Sequence, residues 1–153
     1  MRLKLQQLAN GIGVGLFIAL FIVFLIQITA RFFFNKPLPW TDEMAVILYV
    51  WVILWACATM VPAKDHVVFD LLYNAMPVQV KRGFALLGAV LIGGLAAYAL
   101  PGSWDYVQFM KREGTPVLGI PFNWVFIPFV LLLVALVVRG LVTVVNVLRG
   151  RSV

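Results

Sequence analysis

Four stretches of the chain, 5–30, 44–63, 83–104 and 114–138, contain no Asp, Glu, Lys, Arg or His. Each has the length of about 20 residues or more that an α-helix needs to cross a hydrocarbon core. Charged residues gather in the connectors and near the two chain ends. The pattern predicts an all-α integral membrane protein, a single four-span domain over 1–153 with spans at about 8–30, 44–63, 80–102 and 118–139. Composition agrees: 63% of the 153 residues are hydrophobic and 12% charged, where a soluble domain carries roughly 25% charged residues. The connectors are too short to hold a soluble domain. Arg2 and Lys4 ahead of the first run have the charge of a signal sequence. A signal core is only about 7–15 residues long, however, so an uncleaved first span is expected.

Charge sets the expected orientation. Four spans put both termini on one side, together with the connector between spans two and three. That side holds eight basic residues: Arg2, Lys4, Lys64, Lys81, Arg82, Arg139, Arg149 and Arg151. The other holds four: Arg31, Lys36, Lys111 and Arg112. Both termini are therefore expected in the cytoplasm, with Trp40, Trp104 and Trp124 at the outer interface. In the stretch KDHVVFDLLYNAMP, His66, Asp70, Tyr73 and Asn74 share one helical face. Val68, Leu71, Leu72 and Ala75 share the opposite one. This predicts a short amphipathic helix along the inner interface, with Pro77 in the first turn of the next helix.

Two series of small residues mark packing faces: Gly11, Gly15 and Ala19 in the first span, and Ala89, Gly93 and Ala97 in the third. Residues this small let helix backbones approach closely. Trp51 and Trp55 lie one turn apart in mid-span, away from the interface where tryptophan is enriched. Packing against another protein is the expected reason, with lipid exposure or packing within the chain as the alternative.

No active-site chemistry is legible. Cys57 is the sole cysteine, so no intrachain disulfide forms, and no cluster has metal-ligand spacing. His66 is the sole histidine, which excludes bis-histidine haem ligation within the chain. There is no phosphate-cradling glycine loop, and no cofactor is expected. The net charge of +6 is spread over helix ends, as suits lipid headgroups rather than nucleic acid. Ionisable residues at mid-membrane depth, which proton relays and coupling sites use, are missing. Gln27 and Thr59 lie near span ends.

The chemistry that remains sits in ARFFFNKPLPWTDEM, residues 30–44. Pro37 and Pro39 stiffen this connector, and Trp40 anchors it. Thr41 is the expected N-cap of the second helix, with Asp42 and Glu43 favoured in its first turn by about 0.3–1 kcal/mol from the helix dipole. Arg31 closes the first helix within reach of either carboxylate. One reading is purely structural. The other is a rigid acidic knuckle that orients a partner.

RFFFNKPLPWTDEM, with Arg31, Asn35, Pro37, Trp40, Asp42 and Glu43, resembles a segment of the small membrane subunit of tripartite ATP-independent periplasmic (TRAP) transporters, DctQ-like. HVVFDLL, through His66 and Asp70, and GTPVLGIPFNW, through Thr115, Pro116, Ile120 and Pro121, resemble two further elements of that family in the same order. Asp42 stands where the family more often has glutamate. The resemblance implies a fixed scaffold in the bacterial inner membrane. It would support a large multi-span permease that works with a periplasmic substrate-binding protein in sodium-coupled uptake of small organic acids. Candidate partner contacts are Arg31, Pro37, Trp40, Asp42, Glu43, Trp51, Trp55, His66 and Asp70. The competing readings are a self-contained small dimeric exporter and a generic membrane assembly factor. None of the three is an enzyme.

Overall fold

The computed structural model describes residues 2–60 and 78–149. They form four long helices: α1 (Arg2–Phe33), α2 (Pro39–Trp55), α3 (Val78–Phe109) and α4 (Phe122–Leu148). A π-helical segment, Ala56–Met60, continues α2, and a 3-10 turn, Met110–Arg112, continues α3. All four helices are long and apolar enough to cross a membrane. That outcome follows from the solvent, because a helix satisfies its own backbone groups where no water is present. The helices overrun the apolar runs. α3 continues through Pro101 to Phe109, two turns past the expected end of its span, and α4 reaches Leu148. Residues 118–121 belong to a tight turn ahead of α4 instead of the helix itself. The expected interfacial helix, with His66 and Asp70, lies outside the described residues.

The helices stand in a row, in the order α1, α2, α4, α3. α3 and α4 share the most extensive contact. α2 touches α1 on one side and α4 on the other. α1 rests on α2 and the π-helical segment, without extensive contact to α3 or α4. Burial follows this order: 28% of the most apolar window of α4 is enclosed by the chain, against 6% of that of α1. α4 is therefore the spine, and Val125, Pro128, Val130 and Leu133 form most of a thin core.

The backbones of α3 and α4 approach closely at Gly93 and Gly140. A Cβ placed on Gly140 would lie 3.0 Å from the Ala89 carbonyl oxygen and 3.1 Å from the Gly93 Cα. Two glycines facing each other bring the helix backbones into contact, where dispersion replaces the absent hydrophobic drive. Ala89 is half-buried on this face, whereas Ala97 is exposed and its neighbour Ala96 is buried. On α1, Gly11 and Gly15 are exposed with nothing within 4 Å, and Ala19 is half-buried. The buried glycine of α1 is Gly13.

Candidate functional site

The polar residues converge at one end of the row, where the α1–α2 connector meets the turn ahead of α4. Asn35 adopts φ 53°, a left-handed conformation that asparagine tolerates. The turn sends the Lys36 N–H back to the Ala30 carbonyl at 3.3 Å and closes α1. α2 then starts at Pro39, and this corrects the expectation that Thr41 is its N-cap. Leu38 holds that position without a side-chain cap. Proline has the φ of a first helical residue already set and no N–H to satisfy, so the helix begins three residues early. Thr41 is instead fully buried, and its hydroxyl donates to the Leu38 carbonyl at 2.6 Å.

Residues 113–122 form a tight hairpin. The Phe122 N–H donates to the Glu113 carbonyl and the Thr115 N–H to that of Ile120, both at 3.0 Å. Pro116 suits the first turn position, and Gly119, at φ 64°, supplies the left-handed residue that a four-residue loop of this kind uses. The loop leaves two successive N–H groups, of Val117 and Leu118, without partners inside it. Glu43 fills them: its carboxylate oxygens accept at 2.8 Å from Val117 and 2.9 Å from Leu118. The Thr115 side chain is a third partner of the carboxylate, and its hydroxyl also accepts from the Ile120 N–H at 3.1 Å. Two stretches 74 residues apart are thus clamped through one side chain.

The adjacent carboxylate serves a different neighbour. Asp42 Oδ1 accepts from Gln27 Nε2, tying α2 to α1. The acidic pair therefore divides its work, one member holding each flank of α2. Arg31 pairs with neither; it is exposed and makes no hydrogen bond or ion pair among the described residues. Pro37 and Trp40 are exposed beside it.

The mid-helix tryptophans are bound within the chain. Pro128 has no N–H, so the Trp124 carbonyl one turn earlier receives no helical bond. Trp51 Nε1 donates to that carbonyl at 3.2 Å. Trp55 Nε1 donates to the Ala9 carbonyl of α1 at 3.0 Å. The two indoles thus stitch α2 to both of its neighbours.

Sequence reasoning treated Arg139 as a tail charge and missed its role. It is half-buried inside α4, and its guanidinium donates to the carbonyls of Ala58 at 2.7 Å and Cys57 at 3.4 Å. These belong to the π-helical segment, where a change of register disturbs the usual i→i−4 ladder. The available signal was an arginine closing a long apolar run with helical sequence continuing beyond it. Gln27 and Thr115 were also missed as partners of the acidic pair.

Among the described residues no group of His, Cys, Asp and Glu could hold a metal ion. The convergent polar groups bond to one another and to the chain's own backbone. The arrangement is that of a membrane-embedded framework, a four-helix multi-pass protein braced at one end of the row.

Residues 20–150 match the family model described as tripartite ATP-independent periplasmic transporters, DctQ component. The chain belongs to that family and is therefore of the small-permease type of the TRAP transporters. It is 35% identical over 78 residues, 51% of its length, to the sialic acid TRAP transporter permease protein SiaT of Haemophilus influenzae, of which the match spans 13%. It is 26% identical over 80 residues to the C4-dicarboxylate TRAP transporter small permease protein DctQ of Vibrio cholerae, covering 52% of this chain and 34% of that one. The sialic acid TRAP transporter small permease protein SiaQ of Vibrio cholerae is 25% identical over 125 residues, with 81% and 72% covered.

Proposed function

We propose that the chain is the fixed scaffold subunit of a sodium-coupled, binding-protein-dependent importer of small organic acids, and that it supports a large permease in the bacterial inner membrane. The observation that carries this reading is where the polar groups go. Glu43, Gln27, Asp42, Trp51, Trp55 and Arg139 all bond to the chain itself. A transport site needs polar groups turned toward a substrate or ion. The substrate class rests on the relatives, whose names specify sialic acid, C4-dicarboxylates and isethionate; all are organic acids.

The test pairs two measurements on the tagged chain. Purified from native membranes, it is expected to bring down a large multi-span permease identified by mass spectrometry. Alone in proteoliposomes with a sodium gradient, it is expected to carry no sialic acid or dicarboxylate. Uptake by the chain alone would sink the scaffold reading and revive the small exporter.

The orientation proposed is cytoplasmic termini, with the hairpin and the acidic pair in the periplasm, on the charge bias of the connectors. A thiol placed at Asp70 in a Cys57→Ala background is expected to react only with reagents that cross the membrane. Labelling of that position by an impermeant reagent added from outside would reverse the assignment.

A further inference from the structure

Arg139 sits inside the apolar length of α4 and not at its end. It lies 17 residues beyond Phe122, about 26 Å along the axis, and the helical residues after it, 140–148, carry no charge. A guanidinium at such a position is costly unless its N–H groups find acceptors. Its direction is set within α4. The adjacent Gly140 is pressed against Gly93 of α3, and consecutive helical residues point about 100° apart, so Arg139 is turned away from that crossing. It meets the π-helical turn Ala56–Met60, which bonds carbonyls to the fifth residue on instead of the fourth. One residue more is thus wound into this turn than an α-helical turn holds. Three carbonyls of the stretch take side-chain donors. The Trp55 carbonyl accepts from the Thr59 hydroxyl at 2.7 Å, and those of Cys57 and Ala58 accept from the two terminal nitrogens of Arg139 at 3.4 and 2.7 Å. Carbonyls turned out of an α-helical ladder are the groups with which membrane helices hold cations.

We infer that the π-helical turn is a carbonyl site for a cation, filled from within the chain by the Arg139 guanidinium, and that turn and cation specify each other. The planar fork of a guanidinium presents N–H groups side by side, which suits two successive carbonyls, whereas an ammonium is a single point of charge. Without the cation, the Cys57 and Ala58 carbonyls lose their donors in a site half closed to water, and the turn tightens toward i→i+4 bonding. Without the extra residue, the carbonyls swing back along the helix and leave a half-buried charge short of acceptors. Arg139 is thereby a positioning residue. It ties the end of α2 remote from the acidic pair to α4, and it sets the register in which the chain leaves α2. A change of one residue there rotates whatever follows by about 100°. The inference goes beyond the scaffold reading and stands without it.

The full chain, purified in mild detergent, tests the coupling through Arg139→Leu, deletion of Ala56, and the two changes together. The deletion removes the extra residue and leaves the register of the chain beyond it unchanged. Each single change is expected to shorten the half-life in denaturing detergent about tenfold or more, and the double change to return it to within about threefold of the parent. A double variant that lives no longer than the better of the two single ones overturns the inference, also where the single variants do not fold. A second measurement reads the site itself. Cys57, the sole cysteine, is half-buried in the turn, so its rate of reaction with a maleimide reports local opening. Arg139→Ala is expected to raise that rate several-fold. Methylguanidinium added to this variant is expected to restore the slow rate, and methylammonium at the same concentration to leave it fast. An unchanged rate in Arg139→Ala, or equal effects of the two added cations, overturns the cation site.

Discussion

Gly140→Ala is expected to destabilise the chain by about 1–3 kcal/mol, the usual cost of forcing a methyl into a filled space. The new carbon would meet the Ala89 oxygen at 3.0 Å and the Gly93 Cα at 3.1 Å, and both are backbone atoms that cannot rotate away. α3 and α4 must therefore separate along their most extensive contact. Gly93→Ala should cost less, because its closest approach is 3.3 Å. Gly94→Ala should be nearly silent, since nothing lies within 4 Å of that site. Unfolding each variant in a graded mixture of mild and denaturing detergent orders the three. Equal losses at Gly94 and Gly140 would mean that detergent binding, and not the crossing, sets the result, since helix propensity favours alanine at both sites.

The second large effect is expected at Glu43. Glu43→Lys replaces an acceptor of three hydrogen bonds with a cation facing two N–H groups, and the hairpin should come away from α2. Glu43→Gln keeps the shape, but its amide offers one acceptor oxygen where the carboxylate offered two, so it should hold the hairpin only in part. Asp42→Asn leaves the hairpin bonds intact and should leave the hairpin closed. Trypsin reads the difference in the purified chain, because Lys111 and Arg112 lie just ahead of the hairpin. Where opening is fast relative to cleavage, the rate tracks the open fraction. Cleavage there is expected to rise about tenfold or more in Glu43→Lys, less in Glu43→Gln and little in Asp42→Asn. If all three variants were cut at one rate, the clamp would be no more than a surface contact.

These two sites differ in how far the sequence revealed them. Gly93 stood out because small residues recur about it every four positions. Its counterpart Gly140 did not, since the residues four before and four after it are Leu136 and Val144. Ala97 was grouped with Gly93 by a strict four-residue step. At 100° per residue, eight residues from Ala89 carry a side chain about 80° off the starting face, while seven carry Ala96 back to within about 20°. The acidic pair was legible as chemistry but not as geometry. Asp42 and Glu43 are adjacent, and consecutive residues on a helix point about 100° apart, so they serve different neighbours. The fate of Trp51 depended on Pro128, whose missing N–H frees a carbonyl in another helix.

The four membrane-crossing helices, the proline-stiffened connector at Pro37 and Pro39 and the family were determined by the sequence by itself. Each depends on local properties: the length of an apolar run against the thickness of a bilayer, proline and glycine where the backbone must turn, and short motifs in a set order. The order of the helices in the row, the crossing at Gly93 and Gly140, the split roles of Asp42 and Glu43 and the seating of Arg139 on the π-helical segment were decided by the tertiary structure alone. All four depend on which backbone groups are left unpaired and on what stands beside them in space. In a chain whose helix faces are uniformly apolar, hydrophobicity does not rank one helix pairing above another, so close backbone contact and a few polar bonds make the choice.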